Sequence, residues 1–231
     1  MSLIGADDLV AIGLSLRVAC AATLADLAPA FACALILARG RFAGRGLLDA
    51  LAHLPLVLPP VATGYGLLVL LGREGPIGGM LAKLGLVLAF RWTGAMVAAG
   101  VMAFPLMVRP MRLAIEAIDR EVEESALSLG ARLPTRLLRV TLPLAAPGLA
   151  AGALMGFAKA LGEFGATITF VGAIPGETLT LPSDIYAATQ SPGDETHALV
   201  LCAVAAVIAV GAVLVSEALA KRAARWRPGG R

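Results

Sequence analysis

Residues 119–148 read DREVEESALSLGARLPTRLLRVTLPLAAPG, the one long polar stretch between otherwise apolar blocks. A segment with this many ionisable side chains does not sit in hydrocarbon. Residues 121–129 favour helix and Gly130 is a natural stop. Pro134 starts a second helical run that carries Arg132, Arg136 and Arg139. Two short helices joined at a glycine are therefore expected, with Leu142 and Pro143 leading into the next apolar run.

Taken whole, the 231 residues are 58% hydrophobic and only 15% charged, with a mean hydropathy of +0.85. That composition excludes an ordinary soluble domain and predicts an all-α, polytopic helical bundle. At roughly 20 residues per span there is room for about five. Candidate spans are 9–38, 47–71, 92–108, 144–171 and 198–219, and 1–231 is read as a single integral membrane domain. The segment 76–90 is apolar but short and holds Lys83, so it is expected as an external interfacial or re-entrant helix, with a sixth span as the alternative. No basic residue precedes the first apolar run, which argues against a cleaved signal peptide.

Basic residues set the orientation. Arg39, Arg41 and Arg45 follow the first span, Arg109, Arg112, Arg120, Arg132, Arg136 and Arg139 follow the third, and Lys221, Arg222, Arg225, Arg227 and Arg231 close the chain. Only Arg73, Lys83 and Arg91 fall on the opposite side. The positive-inside rule then puts the N-terminus outside, and the C-terminus and the 119–148 loop in the cytosol. Trp226 and the basic tail read as a topology determinant drawn to anionic lipid, and no nucleic-acid motif accompanies them.

Two apolar blocks carry unusual residues. LPLVLPPVATGYG, residues 54–66, holds Pro55, Pro59 and Pro60, which free backbone carbonyls that lipid cannot satisfy. It is either a kinked packing helix or the lining of a pathway, to which Thr63 and Tyr65 would offer polar groups. In the fourth block Lys159 and Glu163 are four residues apart on one helix face, the spacing of an intramembrane ion pair. Gly162 and Gly165 flank Glu163 and permit close backbone approach, and Thr167 and Thr169 add hydroxyls. The loop 172–195 carries Glu177, Asp184, Asp194 and Glu195 and no Lys or Arg, an acidic mouth that would repel a free dianion.

Cys20, Cys33 and Cys202 are expected as buried packing residues, neither a disulfide framework nor a metal site. His53 and His197 are solitary, at span boundaries, and expected as capping or interfacial residues. No nucleophile, base and orienting residue recur at catalytic spacing, no HExxH is present, and no GxxxxGK[ST] loop would bind ATP. Enzyme chemistry therefore has no visible constellation here.

Glu124, Ser125, Ala126, Gly130, Leu142 and Pro143 stand at the intervals of the EAA loop, and in this the stretch resembles permease subunits of ATP-binding-cassette (ABC) importers. Ser125 replaces the alanine usual there. LGEFGATITFVG, then IPGET and LPSDIYAATQSPGDE, together with LPLVLPPVATGYG, are similar to molybdate importer permeases; LGEFG alone is also similar to sulfate permeases. The resemblance covers roughly residues 45–220. It implies the type I ABC importer permease fold and a homodimer. It also implies two copies of a cytoplasmic ABC ATPase docked on a coupling loop at about 112–143, and an extracytoplasmic oxyanion-binding protein. ATP and Mg would be used by that ATPase, with no cofactor bound by this chain. Candidate pathway residues are Pro59, Pro60, Thr63, Tyr65, Gly162, Glu163, Gly165, Thr167 and Thr169. The implied activity is ATP-driven alternating-access import of molybdate. Sulfate, thiosulfate or tungstate are alternative cargoes, and an intramembrane enzyme around Glu163 and His53 or a passive anion channel are rivals.

Overall fold

Three long apolar runs form the centre of the molecule. The structure, a computed structural model, describes residues 4–225, and the regular elements among them are helices. Helix α1 spans Ala6–Arg39, α5 spans Trp92–Glu116 and α8 spans Leu142–Leu161, with α1 and α8 both packed along α5. Apolar side chains gain little by leaving lipid for another apolar surface, so close approach of small residues must supply the packing energy. The α5 face toward its neighbours is accordingly Ala95, Ala98, Ala99, Gly100 and Ala103, all buried. On α8, Gly148, Gly152 and Gly156 recur every four residues and form one seam against α5. A β-carbon at Gly148 would overlap that of Ala114 and lie 2.7 Å from the Pro110 carbonyl oxygen; at Gly152 it would lie 2.8 Å from that of Met107.

Helices α2 (Arg45–Val57) and α3 (Pro60–Leu71) meet at an angle of 113°. Pro59 and Pro60 have no N–H, so the carbonyls of Pro55 and Leu56 lose their helical donors and the run 47–71 breaks there. Helix α4, Pro76–Lys83, has eight residues and packs against α3; it is too short to cross a bilayer. After α5 come α6 (Arg120–Ser128) and α7 (Leu133–Arg136), followed by a π-helical turn, Leu137–Thr141, that runs directly into α8. Helix α9 (Gly165–Val171), α10 (Leu181–Gln190) and α11 (Glu195–Arg225) complete the chain.

Four helical runs among the described residues are long and apolar enough to cross a membrane, five if the bent α2–α3 pair counts as one span. Several expected boundaries move. The third span extends past 108 to Glu116, because Pro105 and Pro110 are accommodated inside α5. The fourth does not start after Pro143: helix begins at Leu133, and Leu142 N–H bonds to the Leu137 carbonyl across the π turn, so the proline is carried without a break. Nor does that span reach 171, because the helix stops at Leu161 and restarts as α9. Cys20 and Cys202 are exposed on the subunit, not the buried packing residues expected, whereas Cys33 is half-buried and packs against the core; all three are free thiols. Trp226, Arg227 and Arg231 of the basic tail lie outside the described residues.

Candidate coupling loop and translocation segments

The polar hairpin is built by local capping. Asp119 accepts a hydrogen bond from Glu121 N–H at 3.0 Å and starts α6. Gly130 ends it in the left-handed region (φ +82°), with Ala131 N–H bonded to the Ala126 carbonyl at 3.0 Å and Gly130 N–H to that of Leu127 at 2.9 Å. A side chain other than glycine is strained there. Glu124, Ser125 and Gly130 are exposed, Ala126 is half-buried, and Leu127, Leu129 and Leu133 add an uncovered apolar surface; Leu129 is 89% exposed. Pro143 is exposed and Leu142 half-buried at the start of α8.

What fixes this hairpin to the bundle is Glu123, which the motif intervals pass over in favour of its neighbour Glu124. Its Oε2 lies 3.0 Å from Nε of Arg39, the last residue of α1, and its Oε1 accepts from Thr141 Oγ at 3.0 Å. Arg39 also donates through Nη2 to the Ile118 carbonyl at 2.8 Å, and Thr141 is fully buried in the π turn. One carboxylate thus joins the end of α1, helix α6 and the root of α8. The available signal was a second glutamate beside the motif position; charge counting alone had assigned Arg39 to topology.

At the same end of the bundle, α2 and α5 share an ionic cluster. Arg112 donates to Glu116 Oε1 through Nε (2.8 Å) and to Asp49 Oδ2 through Nη1 (3.0 Å), and Arg45 lies 3.8 Å from Glu116. His53 is not solitary: its Nδ1 is 2.9 Å from the Asp49 carbonyl oxygen and 3.2 Å from Asp49 Oδ1. It sits inside α2, so it caps nothing. The i,i+4 pairs Asp49/His53 and Arg112/Glu116 were legible as pairs; that they join was not. His197 likewise has a partner, its Nε2 3.3 Å from Oδ1 of the buried Asp8.

The two blocks singled out as pathway candidates touch each other. Gly165 abuts Pro60, and Gly64 abuts Ala166 and Thr169, where a β-carbon would come within 2.9 Å of Thr169 Cβ. Pro59, Pro60 and Tyr65 are exposed on the subunit, and Gly162 is exposed at the end of α8. Thr63 Oγ is buried without a hydrogen-bond partner. Glu163 and Thr167 lie inside the fold, 3% and 1% exposed. Lys159 Nζ is 2.5 Å from Glu163 Oε2, while Oε1 accepts the Ala166 N–H at 3.0 Å. The carboxylate is thereby satisfied on both oxygens and holds the α8–α9 break together. Thr169 Oγ bonds back to the Gly165 carbonyl at 2.8 Å.

At the opposite end, the 172–195 loop is folded onto the bundle. Leu181 N–H bonds to Ser15 Oγ on α1 at 2.7 Å, and Phe164 packs on Tyr186 with ring centroids 4.9 Å apart. Burial, and next the neighbouring Asp8, hold the Asp184 carboxyl above its ordinary 3.8, and His197 opposes them.

Residues 30–225 match the family described as "Binding-protein-dependent transport system inner membrane component". The chain is 49% identical over 220 residues to the molybdenum transport system permease protein ModB of Escherichia coli (strain K12), covering 95% of this chain and 96% of that one. It is 37% identical over 153 residues to the probable sulfate transport system permease protein cysT of Nephroselmis olivacea, covering 66% and 54%. Its fold is similar to that of a bacterial ABC transporter involved in the import of the acidic polysaccharide alginate (TM-score 0.75, 20% identity, 95% of this chain and 80% of that chain). It is similar also to the alginate transporter in complex with its pentasaccharide-bound periplasmic protein (TM-score 0.76, 19% identity, 94% and 80%).

Proposed function

Because the chain belongs to the binding-protein-dependent transport system inner membrane component family, we propose that it is the permease subunit of an ABC importer that carries molybdate into the cytoplasm. The observation that carries the cargo is the 49% identity over nearly the whole length of a molybdenum transport permease. Two copies of the chain would enclose the pathway, each resting on one copy of a separate ATPase, and an extracytoplasmic binding protein would deliver the anion. The N-terminus lies outside and the C-terminus in the cytosol, which puts the α6 hairpin where an ATPase reaches it.

Glu124, Ser125, Ala126 and Gly130 form the docking surface, with the exposed leucines beside them. ATP and Mg bound between the ATPase subunits draw the two hairpins together. Through Glu123 that motion reaches α1 and the π turn at once, and through Leu142 and Pro143 it enters α8. The helices rotate and open the pathway to the binding protein; hydrolysis reverses the movement. The acidic mouth serves the docked protein in place of the free anion.

Sulfate is the second reading, supported by the sulfate permease likeness over two thirds of the chain. Tungstate has the same charge and tetrahedral shape as molybdate, so the binding protein must separate them. The deciding experiment is ATP-dependent uptake of radiolabelled molybdate into proteoliposomes holding the chain, its ATPase and its binding protein. Uptake that persists in excess sulfate and yields to tungstate is expected. Uptake abolished by sulfate moves the cargo to sulfate, and flux without ATP overturns the importer itself.

A further inference from the structure

A cavity of about 570 Å³ opens between α2 and α5 at the end that holds the ionic cluster, lined by Gly46, Asp49, Ala50, His53, Arg109, Arg112, Leu113 and Glu116. Its lining sets two arginines against two carboxylates, and Arg45, 3.8 Å from Glu116 at the edge of the cavity, is the third arginine that leaves one positive charge over. The two carboxylates, Asp49 and Glu116, are held by Arg112, with Arg45 and His53 beside them. Arg109, one helical turn before Arg112 and on the same side of α5, has no hydrogen bond or ion pair among the described residues. It is the surplus cation of the cavity. Opposite it, α2 presents Gly46 and Ala50, whose small side chains leave the space open. His53 has its Nδ1 engaged by Asp49, and its Nε2 is unpaired among the described residues.

We propose that this cavity is a holding site for the transported tetrahedral dianion on its way out of the pathway, with the Arg109 guanidinium as the principal ligand. The proposal rests on the importer reading above and assigns a step within it. A guanidinium presents donors in a planar fork that matches two oxygens of a tetrahedral oxyanion. Arg112 is locked by its two carboxylates, with Arg45 offsetting the second charge, and so does not collapse into the space. The α2 wall connects the cavity to the α2–α3 break: His53 is five residues, about 7.5 Å along the helix axis, from Leu58 where the span bends. An anion passing the broken span therefore meets Arg109 next. One surplus positive charge beside two neutralised carboxylates makes a weak site, as release requires.

The test uses the assembled permease–ATPase complex, without binding protein or nucleotide, in nanodiscs of neutral lipid. Tungstate binding is followed by titration calorimetry and by anomalous scattering from tungsten. Tungsten is expected beside Arg109, and Arg109→Gln is expected to weaken tungstate at least tenfold while thermal stability stays at the wild-type level; Arg109→Lys retains part of the affinity. Unchanged tungstate binding in Arg109→Gln overturns the proposal. So does tungstate displaced when phosphatidylglycerol replaces the neutral lipid, because the cavity would then hold a headgroup. If wild type imports molybdate and Arg109→Gln imports it with unchanged KM and kcat, the holding site fails and the importer stands. If wild type imports nothing, the importer reading has failed first.

Discussion

Asp184 is the ionisable side chain on the 172–195 loop with a pH dependence built into its surroundings. Burial first, and the charge of Asp8 second, raise its carboxyl above 3.8. A carboxyl whose folded pKa is raised binds its proton more tightly in the folded chain than in the unfolded one. Its favourable contribution is complete below about pH 3.8 and is lost as pH rises through the folded value. Asp7 and Asp8 reinforce the direction and His197 opposes it. Exchange of the α10 amides should therefore slow as pH falls from 7 toward 4, once the intrinsic pH dependence of exchange is removed. Asp184→Asn should flatten that slope and protect α10 at neutral pH; a slope that survives in the variant would falsify the assignment to Asp184. The acidic composition of this loop was plain in the sequence. Its docking on Ser15 and Asp8 was not, because those contacts join residues more than 160 positions apart.

The α6–α7 hairpin, proposed above as the coupling element, and the α5–α8 seam carry predictions of their own. The Arg39–Glu123 pair is mostly buried, with side chains 19% and 14% exposed, so removing one partner strands the other charge and costs about 3 kcal/mol. Glu123→Ala should leave the complex inserted and assembled, raise exchange of the α6 amides more than tenfold, and lower uptake per ATP hydrolysed. Unchanged coupling would sink the role given to Glu123. At the seam, Gly148→Val drives its side chain against Ala114 and the Pro110 backbone, neither of which yields, and overpacking of this kind costs about 1–3 kcal/mol. Gly156→Ala adds a single methyl against Cγ and Sδ of the buried Met107, with no backbone atom among its nearest contacts, and should cost less; an inverted order in thermal denaturation would contradict the packing. The hairpin was legible because capping residues and a glycine act locally. The seam was legible in principle, since glycines 148, 152 and 156 share one face, yet the residues opposite them are set by tertiary packing. The break at 162–164 escaped detection because the run of hydropathy continues across it, and only the capping of α9 by Glu163 shows where one helix ends.

Over the whole molecule, the bent α2–α3 pair decides which surface can face lipid. Pro59 and Pro60 leave the Pro55 and Leu56 carbonyls without their helical donors, and each such group exposed to hydrocarbon costs several kcal/mol. Yet the break is on the outside of the subunit: Val57, Val61, Tyr65 and Val69 are 81%, 57%, 63% and 50% exposed. A surface that is apolar in its side chains and open in its backbone suits neither lipid nor bulk water. It suits a second copy of the chain with an aqueous passage between the two. In a variant whose three cysteines are replaced by serine, Tyr65→Cys should react with a membrane-impermeant thiol reagent from one side of the membrane only. It should form a disulfide between two copies of the chain under mild oxidation. Addition of ATP and the binding protein should change both rates, because the passage changes the side to which it opens. Reaction confined to lipid-soluble reagents, with no cross-link in any state, would place α3 against the bilayer and remove the pathway from this face. The satisfied Glu163 and the packed Gly64–Ala166 contact would bound such a passage on its inner side: the wall behind α3 is closed by backbone-to-backbone packing, so an anion on the Tyr65 face would find no route into the subunit core there and would be left to move along α2 toward the proposed Arg109 site.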